Sequence, residues 1–258
     1  RGVELHRVAV RGGKTAAENA AAASLRGEIV VNTDASIRVL PAAVKALVRA
    51  FQDPTVGVAS GRDVSVDDAA AANRGESGYV GYEMWVRDLE TRLGGIIGAS
   101  GSFYAVRAAV QRTVLREDLA RDFASALIAR RLGLRAVSVP DAQCIVPVTP
   151  SLRAEARRKA RTMAQGLETL RYGASLMNPV RHGGFAFKLA SHALARWLVY
   201  LSAPLAVIGV AWLALSSRVA LGLFAALVLG ILLGIAAMRW PAEKRVPLPV
   251  AMAGFALA

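Results

Sequence analysis

Hydrophobic and polar positions follow two regimes along this chain. Through residues 1–148, short apolar runs alternate with amphipathic stretches, whereas from Trp197 onward the apolar positions become nearly continuous. In the first regime, Val3–Val10 alternates as a strand does, Lys14–Ala23 reads as a helix, and Glu28–Asn32 is a short apolar strand running out to Asp34. Pro41–Phe51 suits a helix with proline in its first turn. Val56–Ala59 predicts a strand, Tyr79–Leu93 an amphipathic helix and Phe103–Val106 another strand. Asp118–Leu132 predicts a helix closed by Gly133, followed by a strand over Arg135–Val139. Strands alternating with helices imply an α/β layer architecture with a largely parallel sheet. Ligand sites in such sheets gather at the carboxyl ends of strands, where Asp34 stands.

In the second regime, Trp197–Leu215 and Val219–Met238 carry no charge, and each has the roughly 20 residues that span a bilayer core as a helix. Three residues, Ser216-Ser217-Arg218, join them. Arg181, Lys188 and Arg196 precede the first run, and Arg239, Lys244 and Arg245 follow the second. Both basic sides are therefore expected to face the cytoplasm, with Trp197 and Trp240 at the interface. Val246–Ala258 reads as the start of a third span. Between the regimes, residues 149–190 hold eight Lys and Arg against two acids. Arg153, Arg157, Arg158, Lys159, Arg161 and Arg171 recur at helical spacing with Leu152, Met163, Leu167 and Leu170, a basic amphipathic helix suited to an anionic lipid surface.

Composition narrows the function classes. A hydrophobic fraction of 54% excludes a disordered linker. One cysteine among 258 residues excludes a disulfide scaffold, and the three separated histidines, His6, His182 and His192, argue against a histidine-rich metal centre. The net charge of +13 directs attention to phosphates, nucleic acid or a membrane. Nucleic acid is disfavoured, because the charge gathers beside the apolar runs and no aromatic platform interleaves with it. The chain begins at Arg1 and ends inside an apolar run, and we read it as a piece of a longer protein.

Four segments could carry chemistry. Gly12-Gly13-Lys14, with Asn19 beyond it, can cradle a phosphate at a helix start, although it lacks a complete P-loop pattern. Asp34-Ala35-Ser36 leaves a strand with hard oxygen ligands suited to Mg2+ or Mn2+, although taken alone it reads first as a common turn or cap. The small residues Gly98, Ala99, Ser100, Gly101 and Ser102 allow a ligand to approach the backbone closely. Asp118 and Asp122, four residues apart, share one helical face, and a carboxylate there can serve as a general base or complement the helix dipole.

Taken in order, GKTAAEN, the strand with Asp-Ala-Ser, GASGSFYAVR, DFASALIARRLGLRAVSVPDA, a basic helix and then apolar spans resemble the membrane-bound family 2 glycosyltransferases, the branch with cellulose, hyaluronan and exopolysaccharide synthases. The resemblance covers about residues 5–170. It implies a GT-A (Rossmann-like) α/β fold over residues 1–148, interfacial helices over 149–190 and a transmembrane region over 191–258. It also implies inverting transfer from a nucleotide-diphosphate sugar, with Mg2+ or Mn2+, to a lipid or glycan acceptor at the cytoplasmic face of a bacterial inner membrane.

Residue by residue, Lys14 matches the lysine near the donor phosphates, and Asn19 falls in the same segment. Asp34 matches the first aspartate of the DxD motif, with Ser36 in the second place. Gly98, Ser100, Gly101 and Ser102 match the acceptor-side loop, and Asp122 matches the catalytic base. Arg158-Lys159-Ala160-Arg161-Thr162 stands where the family has QxxRW; only Arg161 matches, a departure that counts against processive polymerisation and leaves single-sugar transfer open. The family's first strand would precede Arg1, so the piece alone is expected to be inactive. The competing expectation is a catalytically degenerate membrane scaffold.

Overall fold

A computed structural model describes residues 2–9, 12–65, 71–147, 152–240, 250 and 253. The chain divides into two compact units. The first comprises Arg1–Val66, Tyr82–Pro147 and Thr162–Leu189; the second comprises Asp67–Gly81, Val148–Arg161 and Ala190–Ala258.

In the first unit, helix α1 (Gly13–Ala22) leads to β1 (Ile29–Thr33), the short β2 (Arg38–Val39) and α2 (Ala43–Arg49). Then come β3 (Val56–Ser65), α3 (Ala71–Arg92), which starts in the second unit, and β4 (Phe103–Arg107). A short α4 (Ala108–Gln111) precedes α5 (Arg121–Arg131) and the long β5 (Arg135–Val146). One sheet results, in the order β1-β4-β3-β5-β2.

Alternation along the strands sends side chains to two cores. On β4, Tyr104 and Val106 face one core with Leu119, Ala124 and Ile128, while Phe103 and Ala105 face the other with Ala43, Leu47 and Phe51. The sheet therefore has α5 on one side and α2 on the other, the layering expected of an α/β domain.

The expected parallel sheet is corrected. Among the described residues only β3 and β5 pair in parallel, whereas β1/β4, β3/β4 and β2/β5 are antiparallel. A hydrophobic pattern reports which face of a strand is buried and not its direction, and β4 enters between β1 and β3 reversed. The expected strand over Val3–Val10 does not form within residues 2–9, where Val3 and Leu5 are exposed and pair with no strand. Helix α5 begins at Arg121, so Asp118 lies before it and is paired with Arg116 rather than sharing a helical face with Asp122.

Helix α6 (Leu152–Tyr172) runs from the second unit into the first. It is followed by α7 (Pro179–His182), α8 (Gly184–Lys188) and a π-helical turn over Leu189–Leu194. Lys188 is buried and donates from Nζ to the carbonyl oxygens of Gly95 (2.5 Å), Leu93 (3.3 Å) and Glu90 (3.4 Å), where α3 ends. Cations at a helix C-terminus meet carbonyls that have no partner within the helix.

In the second unit, α9 (Ala195–Leu213) and α10 (Arg218–Met238) form an antiparallel pair. The helical stretches Gly184–Leu213 and Arg218–Met238 are long and apolar enough to cross a membrane. Their large apolar side chains are mostly exposed, as lipid-facing residues are and core residues are not. The expected third span, Val246–Ala258, falls outside the described residues apart from Val250 and Ala253.

Candidate active site

Three element ends and one loop meet in the first unit. Gly13, at φ 83°, takes the left-handed conformation that starts α1 and presents Lys14 in its first turn. Strand β1 ends beside the start of β4, with Thr33 opposite Phe103. The pairing continues one step further, where Asp34 N–H donates to Ser102 O at 3.0 Å. That step holds Asp34 against the 98–102 loop.

Lys14 closes the arrangement. Its Nζ donates to Asp34 Oδ1 at 2.6 Å and to Gly101 O at 2.8 Å. On its other side Gly101 abuts Asp122, since a Cβ added there would stand 3.0 Å from Asp122 Oδ2. Ala99 N–H donates to Asp122 O at 3.3 Å, and a Cβ on Gly98 would stand 3.3 Å from the ring of Phe123. Lys14, Asp34, Gly98, Gly101 and Asp122 are thus brought together.

Asp122 lies half-buried in the first turn of α5. Burial pushes its carboxyl above the usual range, against backbone N–H donors and the positive charges of Lys14 and Arg87. Glu18, one turn beyond Lys14 on α1, is also raised by burial, against the charges of Lys14 and Arg121. Arg121, 2% exposed, has its Nε 3.2 Å from Glu18 Oε2, an ion-pair distance without hydrogen-bond alignment. Arg121 also donates to the carbonyls of Gln111 (3.2 Å) and Thr113 (3.3 Å) and to Asn19 Oδ1.

Asn19 is engaged by the protein itself. Its Nδ2 donates to Leu115 O at 2.7 Å and its Oδ1 accepts from Leu115 N at 3.2 Å, while Thr15 Oγ1 donates to Leu119 O at 2.8 Å. These bonds rivet α1 to the segment entering α5 and so hold Lys14 in register with Asp122.

Ser100 and Ser102 turn toward β3. Ser100 is 2% exposed and its Oγ donates to the Asp63 carboxylate at 2.8 Å. Ser102 Oγ reaches Asp63 Oδ2 at 3.4 Å. Ser36 is exposed in the turn after Asp34. Arg158 and Arg161 are exposed on the part of α6 that belongs to the second unit.

For a cation, the donor set is one carboxylate, Asp34, and the Ser36 hydroxyl. Among the described residues no group of three or more His, Cys, Asp or Glu gathers to hold a metal. Such a set fits a hard divalent ion that takes its remaining ligands from a phosphorylated substrate and water, as Mg2+ commonly does. It does not fit a resident structural metal.

Sequence reasoning missed Glu18, Arg121, Arg87 and Asp63. The i, i+4 spacing of Lys14 and Glu18 was the available signal for Glu18. Asp63 had none, being polar and beyond the apolar part of its strand.

Comparison with known proteins bears on the family and the fold. Residues 29–238 match the family model described as "Glycosyl transferase family group 2". Among solved structures, the chain is similar to a mannosyltransferase, PcManGT from Pyrobaculum calidifontis, in complex with GDP-Man and Mn2+. The TM-score is 0.62 at 22% identity, over 95% of this chain and 66% of that one, so the chain spans just under two thirds of that structure. No curated protein matches the chain.

Proposed function

Because this chain belongs to glycosyl transferase family group 2, we propose that it moves a sugar, with inversion, from a nucleotide-diphosphate sugar to a lipid-linked or polysaccharide acceptor at the cytoplasmic face of a bacterial inner membrane. The observation that carries this reading is the bridge made by Lys14. One ammonium group holds Asp34 at 2.6 Å and the Gly101 carbonyl at 2.8 Å, while Gly101 itself abuts the Asp122 carboxylate.

The roles follow from the chemistry of displacement at an anomeric carbon. Asp122 takes the proton of the acceptor hydroxyl as its oxygen attacks. The new C–O bond forms on one face while the bond to the diphosphate breaks on the other, and the electron pair leaves with the nucleoside diphosphate. Lys14 offsets the charge that grows on that leaving group. Asp34 and Ser36 would hold Mg2+ or Mn2+, which neutralises diphosphate charge when bound. The 98–102 loop borders the acceptor. The two apolar helices and the basic face of α6 support a membrane location.

The test uses the complete reading frame expressed in membranes, offered a panel of labelled nucleotide sugars that includes GDP-Man, with Mn2+ or Mg2+. Label entering a lipid or polymer fraction supports the transferase. No incorporation and no cation-dependent donor binding would favour the degenerate scaffold. Gly101→Ala sharpens the assay, because its Cβ must displace the Asp122 side chain. Transfer should fall by up to about tenfold with the melting temperature nearly unchanged, since the carboxylate need give by only a few tenths of an ångström, less than the ~1 Å that costs about 100-fold.

A further inference from the structure

We propose that Asp63, on β3, is a positioning residue that sets the acceptor-side loop in its working shape, and so controls how Lys14 and Asp122 face each other. The inference rests on the transferase reading for its catalytic consequence. Its structural part stands independently of that reading.

Asp63 anchors the loop from below. It stands opposite Cys144 of β5 in the parallel pairing, with Cys144 Sγ 3.4 Å from its Oδ1. The Ser100 hydroxyl is shared between its two oxygens, at 2.8 and 3.0 Å, and Ser102 Oγ lies 3.4 Å from Oδ2. Ser100 Oγ meanwhile accepts from Ser102 N–H at 3.2 Å, which folds residues 100–102 into a tight turn. A second anchor lies three residues earlier on the same strand. Ser60 Oγ accepts from Ser100 N–H at 2.8 Å and from Arg87 Nη1 at 3.2 Å.

The turn so fixed has Gly101 at its apex. Its carbonyl takes Lys14 and its Cα side lies against Asp122. Asp63 thus acts on both through a loop. Hydrogen bonds to a charged acceptor are among the stronger kind, so the carboxylate is the dominant fastening of the turn. Two consequences distinguish this role from general packing. An amide oxygen in place of the carboxylate keeps an acceptor for Ser100, so Asp63→Asn should retain most function where Asp63→Ala does not. Because Asp63 works through Ser100, losing both should cost no more than losing one.

The experiment uses the full protein in detergent, with Asp63→Ala, Asp63→Asn, Ser100→Ala and the Asp63→Ala/Ser100→Ala double variant. Hydrogen exchange of the peptide covering residues 98–103 is the first readout and needs no donor. Asp63→Ala and Ser100→Ala should each speed it by about tenfold or more, with peptides of α5 left unchanged. Turnover with the donor found active in the panel is the second. Both single variants should lower kcat by about tenfold or more with donor KM within about threefold, the double variant should match the worse single, and Asp63→Asn should lie near wild type. Unchanged exchange, or additive losses in the double variant, would overturn the proposal; additive losses would mark Asp63 as a direct substrate contact. If Asp63→Ala fails to fold, Ser100→Ala and Asp63→Asn carry the same comparison. If the wild type transfers no sugar, the transferase reading falls on that result, and exchange alone decides whether Asp63 sets the loop.

Discussion

Asp122→Asn should abolish most sugar transfer and at the same time make the protein harder to melt. The substitution preserves shape and removes the proton acceptor, so the rate should fall by about 10²- to 10⁴-fold, the usual contribution of a positioned base. The gain in stability follows from the sign of the carboxyl's shift. Burial raises the Asp122 pKa in the folded protein, so at neutral pH its ionised form is held at a cost that the unfolded chain does not bear. Asparagine relieves that cost. The gain should be full above the raised folded value, shrink as pH falls through it, and vanish below the ordinary carboxylate range. In the wild type the base must be ionised, so transfer should rise with pH through the same raised value. Thermal melts at neutral and acid pH, beside incorporation of label, test both halves; wild-type transfer by the asparagine variant would place the base elsewhere.

Asp34→Ala should remove cation-dependent donor binding and leave the fold intact. The ion pair it breaks has both side chains close to half exposed, at 45% and 43%, and such pairs contribute about 0–1 kcal/mol. A change in melting temperature of more than a few degrees would therefore contradict the structure. Binding is another matter. Asp34 is the one carboxylate of the donor set, and a cation stabilising phosphate charge is worth several kcal/mol, so donor affinity in Mn2+ should fall by about 100-fold or more. Lys14→Ala separates the two roles. It removes a positive charge from the diphosphate side but leaves Asp34 in place, so the remaining donor binding should still require Mn2+. Titration calorimetry with and without chelator distinguishes these outcomes.

Much of this was legible in the sequence, for a physical reason. Periodicity reports burial locally, so Lys14–Ala23, Glu28–Asn32 and Phe103–Val106 lie within a residue or two of α1, β1 and β4. Proximity of Lys14, Asp34 and the Gly98–Ser102 loop could be expected from order along the chain only through family resemblance. What local pattern does not carry is pairing at a distance. Strand direction was missed for that reason. So was the continuation of β3 past Gly61, where polar Arg62 and Asp63 are held in the sheet by Gln143 and Cys144 of β5. Arg121 was invisible as a buried charge because its partners lie up to 102 residues away. Local spacing put Asp118 on one helical face with Asp122, whereas the helix begins between them.

The grip of Lys188 on the end of α3 has a practical meaning for anyone who wants this domain in aqueous solution. The tempting place to trim the chain is just ahead of its greasy portion, around Gly184. A cut there would strip the cation from the carbonyls of Glu90, Leu93 and Gly95, immediately upstream of the loop that carries Gly98 to Ser102. A piece ending after Leu189 keeps that fastening and gives up the π-helical turn and the two long apolar helices. The residues just ahead of the apolar helices thus belong, energetically, to the first unit.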